Sequence, residues 1–401
     1  MQILSALTAH VAGWSVRRKM NILLFATLIL LPLFLLLVGQ AGGAALQTNV
    51  IVAVLAGSVI LFAPLSYGLT QLMALRSIRE LNDQCYRLKE GDFALDELPP
   101  EQGEEHDFLR LKRNLHWMGY ALAAREERLA SAMQRLADAQ RQIGESIDYA
   151  ALIQRSFLPD ASLLDARFQS HFLLWSQRDR VGGDSYWIHA TPTGFFVAII
   201  DCTGHGVPGA FMTLIVQSLF EQAAALVAES AAPADPGAVL SHLNRLIKDA
   251  LGQNRGDSGM SDDGLDCCLC HVDPGRGEVV FAGANNPLYV LESGEVTQHK
   301  GDRCGIGYVR SPRDFTFTSR PIPHGPGARF YMATDGVTDQ VGGPKRLPFG
   351  KRRLQEFFVR HASTPLAGQD RLLLDEVEAY RADEPRRDDM TVLGFEIREA
   401  R

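Results

Sequence analysis

Positive charge is in short supply in this 401-residue chain: 40 Lys and Arg stand against 47 Asp and Glu, a formal net charge of −7. Nucleic acids are held chiefly by surplus Lys and Arg on the phosphate backbone, so no nucleic-acid partner is expected. Cysteine is sparse as well. The six, Cys85, Cys202, Cys267, Cys268, Cys270 and Cys304, hold a single Cys-x-x-Cys spacing, Cys267 to Cys270, with no second pair to complete a four-ligand set and no regular framework. That argues against structural zinc and against a disulfide framework, and it fits a reducing compartment. Cys267, Cys268 and Cys270 fall in an apolar run, where free cysteine packs as a small hydrophobe. The last scarcity is local: residues 20–39 and 50–69 contain no charged side chain at all.

Each of those two stretches is about 20 residues of apolar chain, enough to cross the hydrocarbon core as a helix. Arg17, Arg18 and Lys19 precede the first, Arg76 and Arg79 follow the second, and the connecting "AGGAALQTN" has no basic residue. The positive-inside bias predicts a two-span anchor in the inner (cytoplasmic) membrane with both chain ends in the cytoplasm. A cleaved signal peptide is the rival for the first stretch, but its apolar run exceeds the usual core of about 7 to 15 residues. The loop between the spans is too short to fold as an external sensory domain.

Residues 78–118 read as helix, "EGD" break, Pro-containing connector and second helix. This pattern resembles a HAMP domain, the helical relay between membrane spans and cytoplasmic output domains in bacterial signalling proteins. Ser77 stands where such domains often carry proline. Leu115, Leu122, Leu129, Leu136, Ile143 and Ala150 then recur at every seventh position, a seam that predicts a parallel coiled-coil homodimer. A single helix packed on the following domain is the alternative.

Beyond Arg167, strand-like runs dominate: "FQSHFLLW", "FFVAII", "DCCLCHV", "GEVVFAG", "PLYVLE", "ARFYMAT" and "MTVLGFEI". Helical stretches such as "GAFMTLIVQSLFEQAAALVAE" lie among them, and "DPGRGE" and "ESGE" are hairpin signals. An α+β domain with antiparallel sheets flanked by helices is expected. Four turns at strand ends carry carboxylates: Asp184 in "VGGDSYW", Asp201 in "DCTGHG", Asp335 in "ATDGVTD", and Asp388 with Asp389 in "RRDDMTV". One aspartate in a turn commonly serves local hydrogen bonding. Four that converge would repel one another, and divalent cations relieve that repulsion. All-oxygen ligation suits Mg²⁺ or Mn²⁺, and two such ions can activate a water and clamp a phosphoryl oxygen.

The order "ALIQRSFLPD", "VGGDSYW", "DCTGHGVPGAF", "AGANNPLYV", "ATDGVTD", "DDMTVLGFEI" resembles the PPM-type metal-dependent protein phosphatases, in particular their SpoIIE-like branch. The resemblance implies an αββα sandwich of two antiparallel sheets, and a serine/threonine phosphatase using two divalent cations, Mn²⁺ or Mg²⁺. By motif position it implies that Asp201 bridges the two ions, Cys202 offers its backbone carbonyl, Asp335 and Asp388 complete one shell, and Asp184 supports the other. Asp389 competes with Asp388 for its role. It further implies a phosphorylated STAS-type regulator as substrate, that regulator's kinase as a second partner, and a switch helix at "ALIQRSFLPD". His205 is a candidate general acid, with a turn-bracing histidine as the alternative. Asp262, Asp263 and Asp266 are expected in a solvated flap, and Asn285 and Asn286 in a turn. The domains are expected as membrane anchor 1–72, HAMP-like relay 73–125, coiled-coil and switch linker 126–160 and phosphatase 161–401. A catalytically silent scaffold would retain the fold without the acids. A nucleotide cyclase is disfavoured because Ser185 and Tyr186 follow "GGD", and a histidine kinase because no glycine-rich ATP-lid motif follows the coiled segment.

Overall fold

The computed structural model describes residues 76–93, 107–229, 234–253 and 262–398, with isolated positions between 22 and 68. Apart from those isolated positions, the expected spans at 20–39 and 50–69 lie outside the described residues, as does the connector after "EGD". Among the described residues, one helix has the length and hydropathy to cross a membrane, Gly206–Ala228, and half of it is buried inside the protein. The chain divides into two compact units, Met1–Ala139 and Gln140–Arg401.

In the first unit, helix α1 (Arg76–Lys89) ends at Gly91, whose φ of 84° provides the left-handed stop expected from "EGD". Leu81 and Leu88 of α1 form a small core with Leu115 of helix α2 (Asp107–Phe157), flanked by Phe93 and Phe108. Helix α2 is unbroken and stops two residues before Pro159, because the residue preceding a proline is pushed out of helical geometry. Its seam residues Leu122, Leu129, Leu136 and Ile143 are exposed.

The second unit begins with the last turns of α2 and continues through α3 (Ala161–Arg167), β1 (Ser170–Ser176), β2 (Asp184–Ala190), β3 (Phe195–Cys202), α4 (Gly206–Ala228), α5 (Pro236–Ala250), β4 (Leu265–Asp273) and β5 (Glu278–Ala284). It goes on with β6 (Leu288–Glu292), β7 (Glu295–His299), β8 (Arg320–Ile322), β9 (Arg329–Ala333), α6 (Asp335–Asp339), the short pair β10 (Val341–Gly342) and β11 (Leu347–Pro348), α7 (Gly350–Arg360), α8 (Gln369–Arg381) and β12 (Met390–Glu396). Two five-stranded antiparallel sheets result, ordered β1-β12-β9-β6-β7 and β2-β3-β4-β5-β8. Both hairpin signals fall where expected. In "ESGE", Ser293 and Gly294 both have positive φ, the geometry of a two-residue turn whose twist matches its strands.

Alternation along β3 explains the layering. Phe196, Ala198, Ile200 and Cys202 face α4 and α5, whereas Phe195, Val197 and Ile199 face the other sheet. Because both faces are covered, the strand reads in sequence as one uninterrupted apolar run. A third core lies under α7 and α8, where Phe349, Leu354, Phe357 and Phe358 cover Tyr289, Tyr331 and Val392 of the first sheet. The αββα order of layers is therefore fixed by three separate apolar seams. Cys267 packs on the helix side, and Cys268 and Cys270 between the sheets, as small core residues.

Candidate metal centre

Three adjacent strands place three aspartates in one row. Asp184 on β2 is the cross-strand partner of Asp201 on β3, and Asp201 is that of Asp266 on β4. Directly paired residues of antiparallel strands project from the same face. Asp201 continues the series Phe195, Val197, Ile199, so the row lies on the face turned toward the opposite sheet. That sheet supplies Asp335, directly after β9, and Asp388, just before β12.

Each acid is held differently. Asp184 is buried, and its Oδ2 accepts hydrogen bonds from Thr334 Oγ1 at 2.7 Å and Thr391 Oγ1 at 2.8 Å, tying one sheet to the other. Asp389 is also buried and accepts from the backbone N–H of Arg178 and of Gly183, both at 2.6 Å. Its two oxygens are thus committed to bracing the loop between β1 and β2. Among the described residues, Asp388 accepts only its neighbour's N–H, at 2.9 Å, and its charge reaches Asp184, Asp201 and Asp335. Of the adjacent pair, Asp388 is therefore the one whose carboxylate is available to a cation.

Burial first, then mutual repulsion, pushes Asp184 and Asp201 well above the carboxylate range; for Asp201 the neighbours are Asp184, Asp335, Asp266 and Asp388. Asp335 is pushed up to about 6 by partial desolvation, followed by Asp339 and Asp388. Asp266 rises through burial, moderated by Asn285 and Arg310. Among the described residues, no three His, Cys, Asp or Glu side chains form a ready metal-binding group. The donor set nonetheless fits hard divalent cations: carboxylate oxygens from both sheets whose charges disfavour one another in the absence of a cation.

Glycine makes the closeness possible. A Cβ on Gly183 would stand 2.3 Å from the carbonyl oxygen of Gly204 and 2.7 Å from that of Cys202, so "GGD" packs directly on "DCTG". The Cys202 side chain turns into the helix-side core, where burial raises its thiol well above the ordinary value; its carbonyl is the oxygen that faces Gly183. His205 occupies the N-cap of α4 without capping it, and its Nδ1 lies 3.0 Å from Asp179 Oδ2.

Sequence reasoning missed several of these residues. Asp266 belongs to the acidic row rather than to a solvated flap, because it opens β4 opposite Asp201; its parity with Cys268 and Cys270 is the signal that a known register would have exposed. Asp262 does stay at the surface, accepting from Val309 N–H at 2.7 Å. Asn285 shapes its turn with a φ of 58° and also donates to Asp266 at 2.8 Å. From α2, Gln154 is buried and donates to Gly182 O at 2.7 Å and Thr213 Oγ1 at 2.9 Å, while its Oε1 accepts from Gly182 N and Gln177 Nε2. Arg180 adds bonds to Gly144 O and Asp148. For this reason the compact unit starts at Gln140, taking in residues of the expected linker.

Two antiparallel sheets, helices outside and an acidic row at their shared edge are the architecture of the PPM-type phosphatases, which are metal-dependent, and the chain is a protein serine/threonine phosphatase. Residues 191–398 match the family described as stage II sporulation protein E (SpoIIE). The chain belongs to that family. Among solved structures, the SiaA-PP2C domain of Pseudomonas aeruginosa is 36% identical over 65% of this chain and 98% of that one, with a TM-score of 0.57. The PP2C phosphatase domain of SpoIIE from Bacillus subtilis, with a fragment of its regulatory domain, is 19% identical over 57% of this chain and 63% of that one, with a TM-score of 0.43. The RsbU and RsbW domains of Rv1364c from Mycobacterium tuberculosis are 16% identical over 58% and 61%, with a TM-score of 0.45. No curated protein matches the chain.

The two neighbouring acids separate experimentally. Asp388→Asn should weaken Mn²⁺ binding by calorimetry while leaving the melting temperature of the metal-free protein unchanged or raised. Asp389→Asn should lower that temperature, since a buried acceptor of two backbone N–H groups costs about 1–3 kcal/mol to disturb.

A pH dependence follows from the acidic row. A carboxyl whose folded-state pKa is raised contributes stability that is complete below its unfolded value and lost as pH climbs through the folded one. With Asp335 moving from 3.8 to about 6, metal-free protein should lose urea resistance across that window. Asp335 is exposed at the rim, so solvent screening keeps its share small. Asp335→Asn should flatten this loss, and Mn²⁺ should reverse it above pH 6.

Proposed function

We propose that this chain is a membrane-anchored, dimeric phosphatase of a bacterial partner-switching pathway, removing phosphate from phosphoserine or phosphothreonine on a small STAS-type regulator and so opposing that regulator's kinase. The register that aligns Asp184, Asp201 and Asp266 opposite Asp335 and Asp388 carries the hydrolytic part of this reading. Asp201 would be shared by two cations, Mn²⁺ or Mg²⁺, with Asp335 and Asp388 holding one and Asp184 and the Cys202 carbonyl serving the other. Bound there, the ions supply an activated water and neutralise phosphoryl charge.

The protein's own groups supply position. Thr334 and Thr391 fix Asp184, Asp389 fixes the "GGD" loop, and the side-chain-free backbone of Gly182 and Gly183 lets that loop approach closely. His205, on the exposed turn after Asp201, would give a proton to the departing serine or threonine oxygen. Any phosphoester presents the same phosphoryl group to such a centre, so choice of regulator must come from surfaces outside it.

Membrane attachment, with the phosphatase unit in the cytoplasm at the inner membrane, is supported by the charge-free segments 20–39 and 50–69 and their basic flanks. Dimerisation is supported by the exposed seam Leu122, Leu129, Leu136 and Ile143. The STAS-type substrate is supported by membership of the SpoIIE family. Control from the coiled segment is supported by Gln154, which joins the end of α2 to the loop carrying Asp184.

The direct test is Mn²⁺-dependent phosphate release from the phosphoproteome of the source cell. Asp201→Ala should abolish it in a folded protein; a folded Asp201→Ala protein that remains active refutes the site, and release only from nucleotides or sugars refutes the protein substrate.

Gln154→Ala should reduce turnover at saturating Mn²⁺ by about tenfold or more, the scale of one lost buried hydrogen-bond set. Leu129→Asp with Leu136→Asp should change turnover together with the monomer–dimer balance measured by light scattering. Equal turnover in folded monomers and dimers removes the coupling and leaves the phosphatase assignment standing.

A further inference from the structure

The start of α4 breaks a local rule. Ser, Thr, Asp and Asn are the side chains that cap a helix by accepting its first free N–H groups. Here the N-cap is His205, in extended geometry, and its side chain makes no capping bond. The ring turns instead to Asp179, with Nδ1 at 3.0 Å from Oδ2. An ionised carboxylate can only accept, so Nδ1 carries the hydrogen and Nε2 is the ring's other, exchangeable position. Gly206, at φ 65°, leaves room for this approach: a Cβ there would already stand 3.4 Å from Asp179 Oδ2.

An ion pair between half-exposed side chains is commonly worth little. Asp179 differs because the loop around it is anchored. Arg178 N–H binds Asp389, and Gln177 donates to Gln154. The two flanking guanidinium groups are drawn elsewhere, Arg178 to the carbonyl of Arg387 and Arg180 to Gly144 and Asp148. The carboxylate between them is left to the imidazole.

The placement also suits a protein substrate. A folded phosphoprotein can bring its phosphoryl group to the acidic row, but its own backbone must stay outside. The leaving oxygen then lies toward solvent, and His205, on the turn that follows Asp201, is half-exposed. Tyr308, on the other side of the same turn through Thr203, has its hydroxyl pushed up to about 12 by burial and is a poor donor.

We propose that Asp179 is a positioning residue for His205, holding the imidazole so that Nε2–H is delivered to the leaving serine or threonine oxygen. The proposal rests on the phosphatase reading above and on His205 as its acid. In the step, water's oxygen bonds to phosphorus while the P–O bond to the side chain breaks, its electron pair going to the side-chain oxygen. That oxygen takes the Nε2 proton, and the proton shed by the attacking water restores the ring through solvent. The sum is phosphoester plus water giving alcohol plus hydrogen phosphate.

Full-length protein with Mn²⁺ tests this on two probes, a phosphoserine peptide and p-nitrophenyl phosphate, whose aryl oxide departs readily without a proton. Asp179→Asn should lower kcat on the peptide by about 10- to 100-fold and on the aryl ester by about threefold at most, a part of the roughly 10²–10⁴-fold that a general acid supplies, since the imidazole itself remains. His205→Gln should show the same selectivity, the double variant should be no worse than His205→Gln alone, and Asp179→Glu should restore part of the peptide activity. Equal losses on both probes, additive losses in the double variant, or unchanged peptide turnover in a folded Asp179→Asn protein would each overturn the positioning role. Loss with Asp201→Ala but not with His205→Gln would remove His205 as the acid while keeping the metal centre. If Asp179→Asn melts early, the Asp179→Glu kinetics decide, because a bracing role predicts no selectivity between the probes.

Discussion

Repulsion among carboxylates is the constraint around which this phosphatase unit is arranged. Asp184, Asp201 and Asp266 are lined up by strand register, and Asp335 and Asp388 arrive from the opposite sheet. Gathering those charges where water is partly excluded is unfavourable, and apolar packing on both sides of each sheet offsets it. The same crowding that destabilises the metal-free centre would favour a small divalent cation there, since a cation reverses the sign of every one of these interactions.

The support around the row is built from neutral donors. Asp184 is satisfied by two threonine hydroxyls and Asp389 by two backbone amides. A lysine or arginine in their place would neutralise a carboxylate and compete with a metal ion. Threonine and amide groups hold the oxygens in place while leaving the net negative charge intact.

The loop between β1 and β2 is the junction of the unit. Within a few residues it receives Gln154 and Asp148 from α2, Asp389 from the edge of β12 and His205 from the turn after β3. Gly182 and Gly183 are pressed against the Asp389 carboxylate and the "DCTG" turn, leaving no room for a side chain at either position. The end of α2 is thus hydrogen-bonded directly to the loop that leads into the strand beginning with Asp184.

The chain's sequence by itself determined the element types, the hairpin turns, the acids Asp184, Asp201 and Asp335 in glycine-bearing turns, and the helix stop before Pro159. Each depends on interactions between residues near in sequence: apolar alternation, turn geometry, the steric demand of proline. Tertiary structure alone decided that Asp266 joins the row and that Asp389 is a brace while Asp388 faces the other acids. It likewise decided that Thr334, Thr391, Gln154 and Asp179 serve the centre. Those roles follow from strand register and from which loop ends meet at the common edge of two sheets. Local sequence does not encode them, because a slip of one residue would send Asp266 to the helix-side face without changing a single motif.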